Sequence, residues 1–247
     1  VNSVVTDAWR MFVPGADDRH GPLAPLLVAL TVVTGLVDAF SYLALGHVFV
    51  ANMTGNVVFL AFALVGAKGF SLVASVAALG AFSVGALVGG RFATMFGGHR
   101  GRLLLLVAVL EAVLVAASAV VVGLVHNPGA GAARYVLIIV LSLSMGAQNA
   151  VARKLAVPDL TTTVMTLTIT GISADSRVAG GPGSRAGRRL VSALSMLVGA
   201  IVGALLVLKV SRVAAVLVAL AVLCAIVVIT AFLSRSDRPW VHPSTSG

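Results

Sequence analysis

The chain has 247 residues, of which 59% are hydrophobic and 10% charged, and its net charge is +9. Soluble domains carry about 25% charged residues, so there is too little polar surface here to clothe a water-soluble fold of this size. The 17 lysines and arginines lie between apolar blocks and not in one patch, which argues against a nucleic-acid surface and for membrane spans oriented by their flanking charges.

Residues 1–20 carry Asp7, Arg10, Asp17, Asp18 and Arg19 with no apolar core ahead of them. That pattern predicts a cytoplasmic tail and not a signal peptide. The stretch around Trp9, Met11, Phe12 and Val13 suits either a short interfacial segment or a disordered tail. Six apolar blocks then approach or exceed the roughly 20 residues needed to cross a bilayer: 23–45, 71–90, 103–125, 135–151, 190–210 and 213–233. Two more, 57–65 and 164–172, are too short. At about 1.5 Å per residue each crosses about half of the hydrocarbon, so both read as re-entrant half-helices. The polar segment 234–247, with two prolines, reads as a disordered tail. A single cysteine, Cys224, permits no intrachain disulfide.

Charge counting supports the two half-helices. If both short segments are re-entrant and the N-terminus is cytoplasmic, four of the 17 basic residues face outward (Lys68, Arg134, Lys209 and Arg212) and 13 face the cytoplasm. If both cross, Arg91, Arg100, Arg102, Arg153 and Lys154 move outside while Lys68 and Arg134 move in, and the split falls to 10 against 7. The positive-inside bias favours six spans.

The chain also repeats itself. GLVDA at 35–39 matches GAQNA at 146–150, NMTGNVV at 52–58 matches DLTTTVM at 159–165, and VGALVGG at 84–90 matches VGAIVGA at 198–204, in the same order. The organisation that follows is a tail (1–20), a first membrane repeat (21–133), a second (134–233) and a second tail (234–247). Three crossings per repeat is an odd number, so the repeats are inverted. Gly85 with Gly89, and Gly199 with Gly203, have the GxxxG spacing that lets helix backbones approach. The approach joins either the two repeats or two copies in a homodimer.

Polar groups in hydrocarbon need partners, and ionisable ones are functional candidates. Asp38 lies in the outer third of the first span, and its repeat counterpart is Asn149, beside Gln148. Either pair of roles fits them: solute or proton binding, or an ordinary helix-end or interhelical hydrogen bond. Glu111 sits inside the third span, with structural and functional readings equally open. His47, Asn52, Thr54 and Asn56 crowd the segment leading into the first half-helix, which Asn52 or Thr54 is placed to cap. In the second repeat Asp159 is the corresponding cap, with Thr161 and Thr162 beside it. Half-helix N-termini present free N–H groups and partial positive charge inside the membrane. His47 alone does not make a metal site. No catalytic constellation, phosphate loop or cysteine cluster is present in the sequence, and the glycine-rich run at 179–187 lacks the lysine–hydroxyl pair of a P-loop. The expectation is therefore a protein that is not an enzyme and needs no cofactor or metal.

GLVDAFSYLALGHVFVANMTGNVVFLAFAL at 35–64 and SLSMGAQNAVARKLAVPDLTTTVMTLTITGI at 142–172 resemble the two signatures of the YoaK-like family, bacterial membrane proteins classed as a domain of unknown function. The resemblance covers roughly 23–233. It implies a multi-spanning membrane protein and carries no reaction or substrate. The positions matching the signatures are Asp38, Tyr42, His47, Asn52, Thr54, Gly55 and Asn56, then Gln148, Asn149, Pro158, Asp159, Thr161 and Thr162. Together these readings predict an all-α integral membrane protein of the plasma membrane, with six transmembrane helices, two half-helices and both termini cytoplasmic. Its expected partners are the lipid bilayer and a small polar solute or ion. A scaffold recognising a lipid or a partner protein is the alternative.

Overall fold

The structure, a computed structural model, describes residues 9, 11–12, 20–157, 170–171, 173–174, 186–235 and 239–241. Every regular element among them is helical. In chain order these are α1 (Leu23–Ala44), the short α2 (Met53–Leu64), α3 (Leu72–Phe96), α4 (Arg100–Leu124), α5 (Gly131–Leu155), α6 (Ala186–Leu205) prolonged by a π turn (Leu206–Val210), α7 (Arg212–Leu233) and a 3-10 turn (Pro239–Val241). All except α2 and the two terminal turns are long and apolar enough to cross a membrane, which gives the six expected spans. Several helices run past the apolar blocks: α3 reaches Phe96 beyond Arg91, and α5 carries Arg153 and Lys154 in its last turn. Hydropathy marks the hydrocarbon depth, whereas helical hydrogen bonding continues into the headgroups.

Side chains start three of the helices. Ser71 Oγ accepts from the Ala74 N–H, His99 Nδ1 from Arg102 and Ser211 Oγ from Ala214, each satisfying a donor that a helix N-terminus leaves free. The expected cap at Asn52 is different: its side chain makes no capping bond. At its far end α5 closes with Ala156 in the left-handed region, and the Leu155 carbonyl accepts from the buried Arg100 guanidinium, a cation placed at the negative end of a helix dipole.

Contacts between helix ends fix their directions. At one end of the bundle Arg134, at the start of α5, donates to the Gly46 carbonyl just after α1. Arg212, opening α7, donates to Asn127 between α4 and α5. His47 Nδ1 lies 3.1 Å from the Gly69 carbonyl oxygen, so the chain leaves α1 and begins α3 at the same end. The opposite end gathers His20, Arg100 and Leu155. There Gly101 packs on Ser234 and Trp240. Within the segment 234–247, expected as a disordered tail, Trp240 and Val241 are instead buried against the bundle, while 236–238 and 242–247 lie outside the described residues. Met11, in the N-terminal stretch, is buried too, while Trp9 and Phe12 are exposed.

The long helices pair in a set pattern: α1 with α6, α3 with α5, and α4 with α7. Glycines bring the first two pairs to backbone contact. A Cβ at Gly35 would strike the backbone of Met196 and Ala200, and one at Gly146 would strike that of Phe82 and Ala86. Likewise Gly199 and Gly203 rest on Val32 and Leu36, while Gly85 and Gly89 rest on Leu143 and Ala147. The homodimer left open by the GxxxG spacing would use these same four glycines, and their faces are filled by helices of the same chain. The most buried span is α1, whereas α3, α6 and α7 turn much of their apolar surface outward, as with Leu87, Leu197 and Phe232. That is the surface a bilayer covers.

Candidate functional site

Asp38 lies on α1 six residues before its end, about 9 Å inside it at the helical rise. Beyond α1 the chain turns through Gly46 and His47, both with positive φ, and dips back to this depth. There the Val50 and Ala51 N–H groups donate to Asp38 Oδ1 at 2.9 and 2.8 Å. These donors stand just ahead of α2, so the carboxylate ties down the extended segment that leads into that helix and lies near the partial positive charge of its N-terminus. Asp38 is buried, and its Oδ2 has no hydrogen-bond partner among the described residues.

Asn56 completes the anchorage. It is fully buried in the first turns of α2, accepts from the Phe49 N–H at 2.9 Å and donates to the Phe49 carbonyl at 2.6 Å. Its amide thus replaces a strand partner for an extended segment that would otherwise leave polar backbone unpaired in an apolar setting. Tyr42 stacks on Phe49 at 5.0 Å and meets His47 edge-on at 5.1 Å. With Phe59, Phe62 and Phe70 they form an aromatic cluster over α2. Asn52 is half-buried and Thr54 exposed.

Gln148 belongs to a second cluster, reached from Asp38 by one helical turn along α1. Thr34, four residues before Asp38, shares its face. The Gln148 amide lies between Thr34 and Glu111, with one terminal atom 3.0 Å from Thr34 Oγ1 and the other 2.8 and 3.0 Å from the two Glu111 carboxyl oxygens. Thr34 Oγ1 in turn donates to the Leu30 carbonyl at 2.9 Å. All three side chains are fully buried. They come from α1, α4 and α5, and so join the two halves of the chain.

Asn149 is half-buried and donates to the Met145 carbonyl of its own helix at 2.9 Å; no hydrogen bond joins it to Asp38. The expected second half-helix at 164–172, with Asp159, Thr161 and Thr162, falls almost wholly outside the described residues. The structure therefore brings Asp38 and Asn56 together around the start of α2, and Tyr42 with His47 above it. It sets Gln148 apart with Glu111 and Thr34. Thr34 was absent from the sequence-derived set. Its i, i+4 spacing to Asp38 on an otherwise apolar helix was the available signal.

The family model described as "Protein of unknown function (DUF1275)" matches residues 26–230. A relative from Bacillus subtilis (strain 168), described as "UPF0700 transmembrane protein YoaK", is 35% identical over 151 residues, which is 61% of this chain and 65% of the relative. The aligned stretch thus spans slightly less than two thirds of that relative's length. No solved structure matches. With six apolar helices of spanning length and a family match over most of its residues, the chain is a multi-pass membrane protein that belongs to the DUF1275, YoaK-like family.

Proposed function

We propose that the protein moves a small polar solute or ion across the plasma membrane, using two inverted three-span repeats, α1 to α4 and α5 to α7, each with a re-entrant half-helix. The observation that carries this reading is the exchange relation among helix contacts. Replacing Gly35 by Gly146, and Gly85 and Gly89 by Gly199 and Gly203, converts the α1–α6 contacts into the α3–α5 contacts. The α4–α7 pair converts into itself. A two-fold axis between halves of three crossings each inverts one half against the other, the plan of many transporters.

In this reading α2 is the first half-helix. It starts beside Asp38, and the chain is back at His47 by Gly69. Asn52, Thr54 and Asn56, with Tyr42 and His47, flank its N-terminal side, and Asp159, Thr161 and Thr162 supply the equivalent groups of the second. Gln148 and Asn149 lie on α5. Asp38 is closed off in the state described, so a solute reaches its free Oδ2 when the start of α2 shifts. The Arg100 end, rich in basic residues, faces the cytoplasm, which puts both termini there. The role is transport and not catalysis, with no cofactor. The test is flux of a solute panel in proteoliposomes. Transport that Asp38→Asn slows or abolishes is expected. No flux for any solute, or unchanged flux in that variant, overturns the reading.

A second reading, recognition of an anionic lipid, is favoured by one cavity. A space of about 450 Å³ at the Arg100 end is lined by Arg102 and Arg235 together with Phe96, Leu105, Leu106, Ala231 and Ser234. Paired guanidiniums over an apolar floor suit a phospholipid phosphate and its acyl chains. Thermal stabilisation of delipidated protein by phosphatidylglycerol, lost in Arg102→Ala with Arg235→Ala, is the result this reading expects. Equal stabilisation of that variant removes it.

A further inference from the structure

Glu111, Gln148 and Thr34 sit where hydrogen positions can be counted. Thr34 has one hydroxyl proton, and the Leu30 carbonyl at 2.9 Å receives it. With that proton on Leu30, Thr34 Oγ1 is an acceptor towards Gln148 and the amide turns its NH2 group to it at 3.0 Å; the opposite orientation turns the NH2 to both Glu111 oxygens and draws the Thr34 proton to the amide oxygen. That second orientation leaves a bare carboxylate in an apolar setting. In the first the amide carbonyl faces Glu111, 2.8 Å from one carboxyl oxygen and 3.0 Å from the other. Two acceptors at hydrogen-bond distance need a proton between them.

We propose that these three residues form a proton-binding site between the two halves of the chain, in which Glu111 is held as a carboxylic acid that donates to the Gln148 carbonyl. The proton-loaded chain then runs Glu111 to Gln148 to Thr34 to the Leu30 carbonyl, with every member satisfied and no net charge.

The unloaded form differs by one proton and two rotations. The carboxyl O–H bond breaks, the proton passes to water or hydroxide of the medium, and its electron pair stays on the carboxylate. The amide turns over so that its NH2 faces that carboxylate. The Thr34 hydroxyl swings from Leu30 to the amide oxygen. This form keeps its hydrogen bonds but places a full negative charge in hydrocarbon, which is costly without a counter-charge. Among the described residues no such charge is at hand: on α4 itself Arg100 is bonded to the Leu155 carbonyl at the helix start and Arg102 is exposed. Of the basic groups on the packed helices, Arg91 on α3 and Arg153 and Lys154 on α5 are exposed, Arg134 is bonded to Gly46 at the far end, and Arg212 opens α7. Tyr135 is half-buried at the start of α5, and Cys224 on α7 is exposed. On α1, Asp38 is bonded to Val50 and Ala51, and Tyr42 lies in the aromatic cluster. Among the described residues Glu111 forms no ion pair. The site stands whether or not the protein moves a solute, because proton occupancy is read directly.

Glu111 is the only glutamate of the chain and Gln148 the only glutamine, so residue-type labelling reports on each without a mutation. The native protein, labelled with δ-13C glutamate and reconstituted in phosphatidylcholine bilayers, is followed by isotope-edited infrared spectroscopy across pH. The expected result is one labelled carbonyl band of a carboxylic acid at neutral pH that gives way to a carboxylate band only on alkalinisation. A carboxylate band at neutral pH overturns the proposal. So does conversion to carboxylate when sodium or potassium is added at fixed pH, since a metal cation would then be the ligand. A second reading comes from Glu111→Gln, whose N–H replaces the acid proton. Its unfolding temperature should match that of the native chain. A marked rise would mean that a buried charge had been removed.

Discussion

Ala51 gives its backbone N–H to Asp38 Oδ1 at 2.8 Å, with Val50 doing the same at 2.9 Å. One carboxylate thus holds the chain at depth ahead of α2. Asp38→Ala leaves two buried donors without a partner, at about 1–3 kcal/mol each. Asp38→Asn retains an acceptor oxygen of the same reach. Thermal unfolding in detergent should therefore show a fall of several degrees for the alanine variant, at roughly 2–4 °C per kcal/mol, and a smaller one for asparagine. Equal losses in the two would show that the acceptor is not what matters.

Asn56 clamps Phe49 through both ends of its amide. Asn56→Leu preserves approximate size and removes both bonds. The expected outcome is a loss of about 2 kcal/mol or more, together with faster hydrogen exchange at Phe49, Val50 and Ala51. Unchanged exchange at those amides contradicts the role.

The glycine contacts should fail in related pairs. Gly35→Leu and Gly146→Leu each drive a side chain into a facing backbone, which costs about 1–3 kcal/mol or more. The two losses should be similar in size. Nothing lies within 4 Å of a Cβ at Gly90 or Gly123, so alanine there should leave the unfolding temperature nearly unchanged.

Which side each end of α2 faces can be read by labelling. In a background with Cys224 replaced, single cysteines at His47, Lys68 and Arg102 lie at exposed positions. A membrane-impermeant thiol reagent applied to whole cells should label the first two and spare the third. Opposite accessibility of positions 47 and 68 would mean that α2 crosses the membrane.

The spans were legible because block length against bilayer thickness is a one-dimensional property. So was the short α2, and so was the presence of a buried acid at Asp38, since an acid in an apolar helix stands out. What Asp38 does was less legible. Its partners are main-chain N–H groups at Val50 and Ala51, which carry no side-chain signature. Asn52 has the residue type and the position of a cap, yet its side chain makes no capping bond. Glu111 met Gln148 and Thr34 only through the packing of α4, α5 and α1, a relation across 37 and 77 residues that periodicity within one helix does not contain. The glycine pattern named the close approaches, but only the paired helices decided that they join the halves of one chain.

Helix α1 has its closest partner in α6, whose first residue, Ala186, follows Ala44 by more than a hundred positions. During synthesis α1 must therefore wait in lipid, its glycine face bare at Gly35 and its buried Asp38 and Thr34 seeking temporary company, while the intervening chain, with the described helices α2 to α5, is made. Neither half can reach its final packing alone. The membrane-insertion machinery has to shelter the first half until the second arrives, and two separately expressed halves should find one another for the same reason.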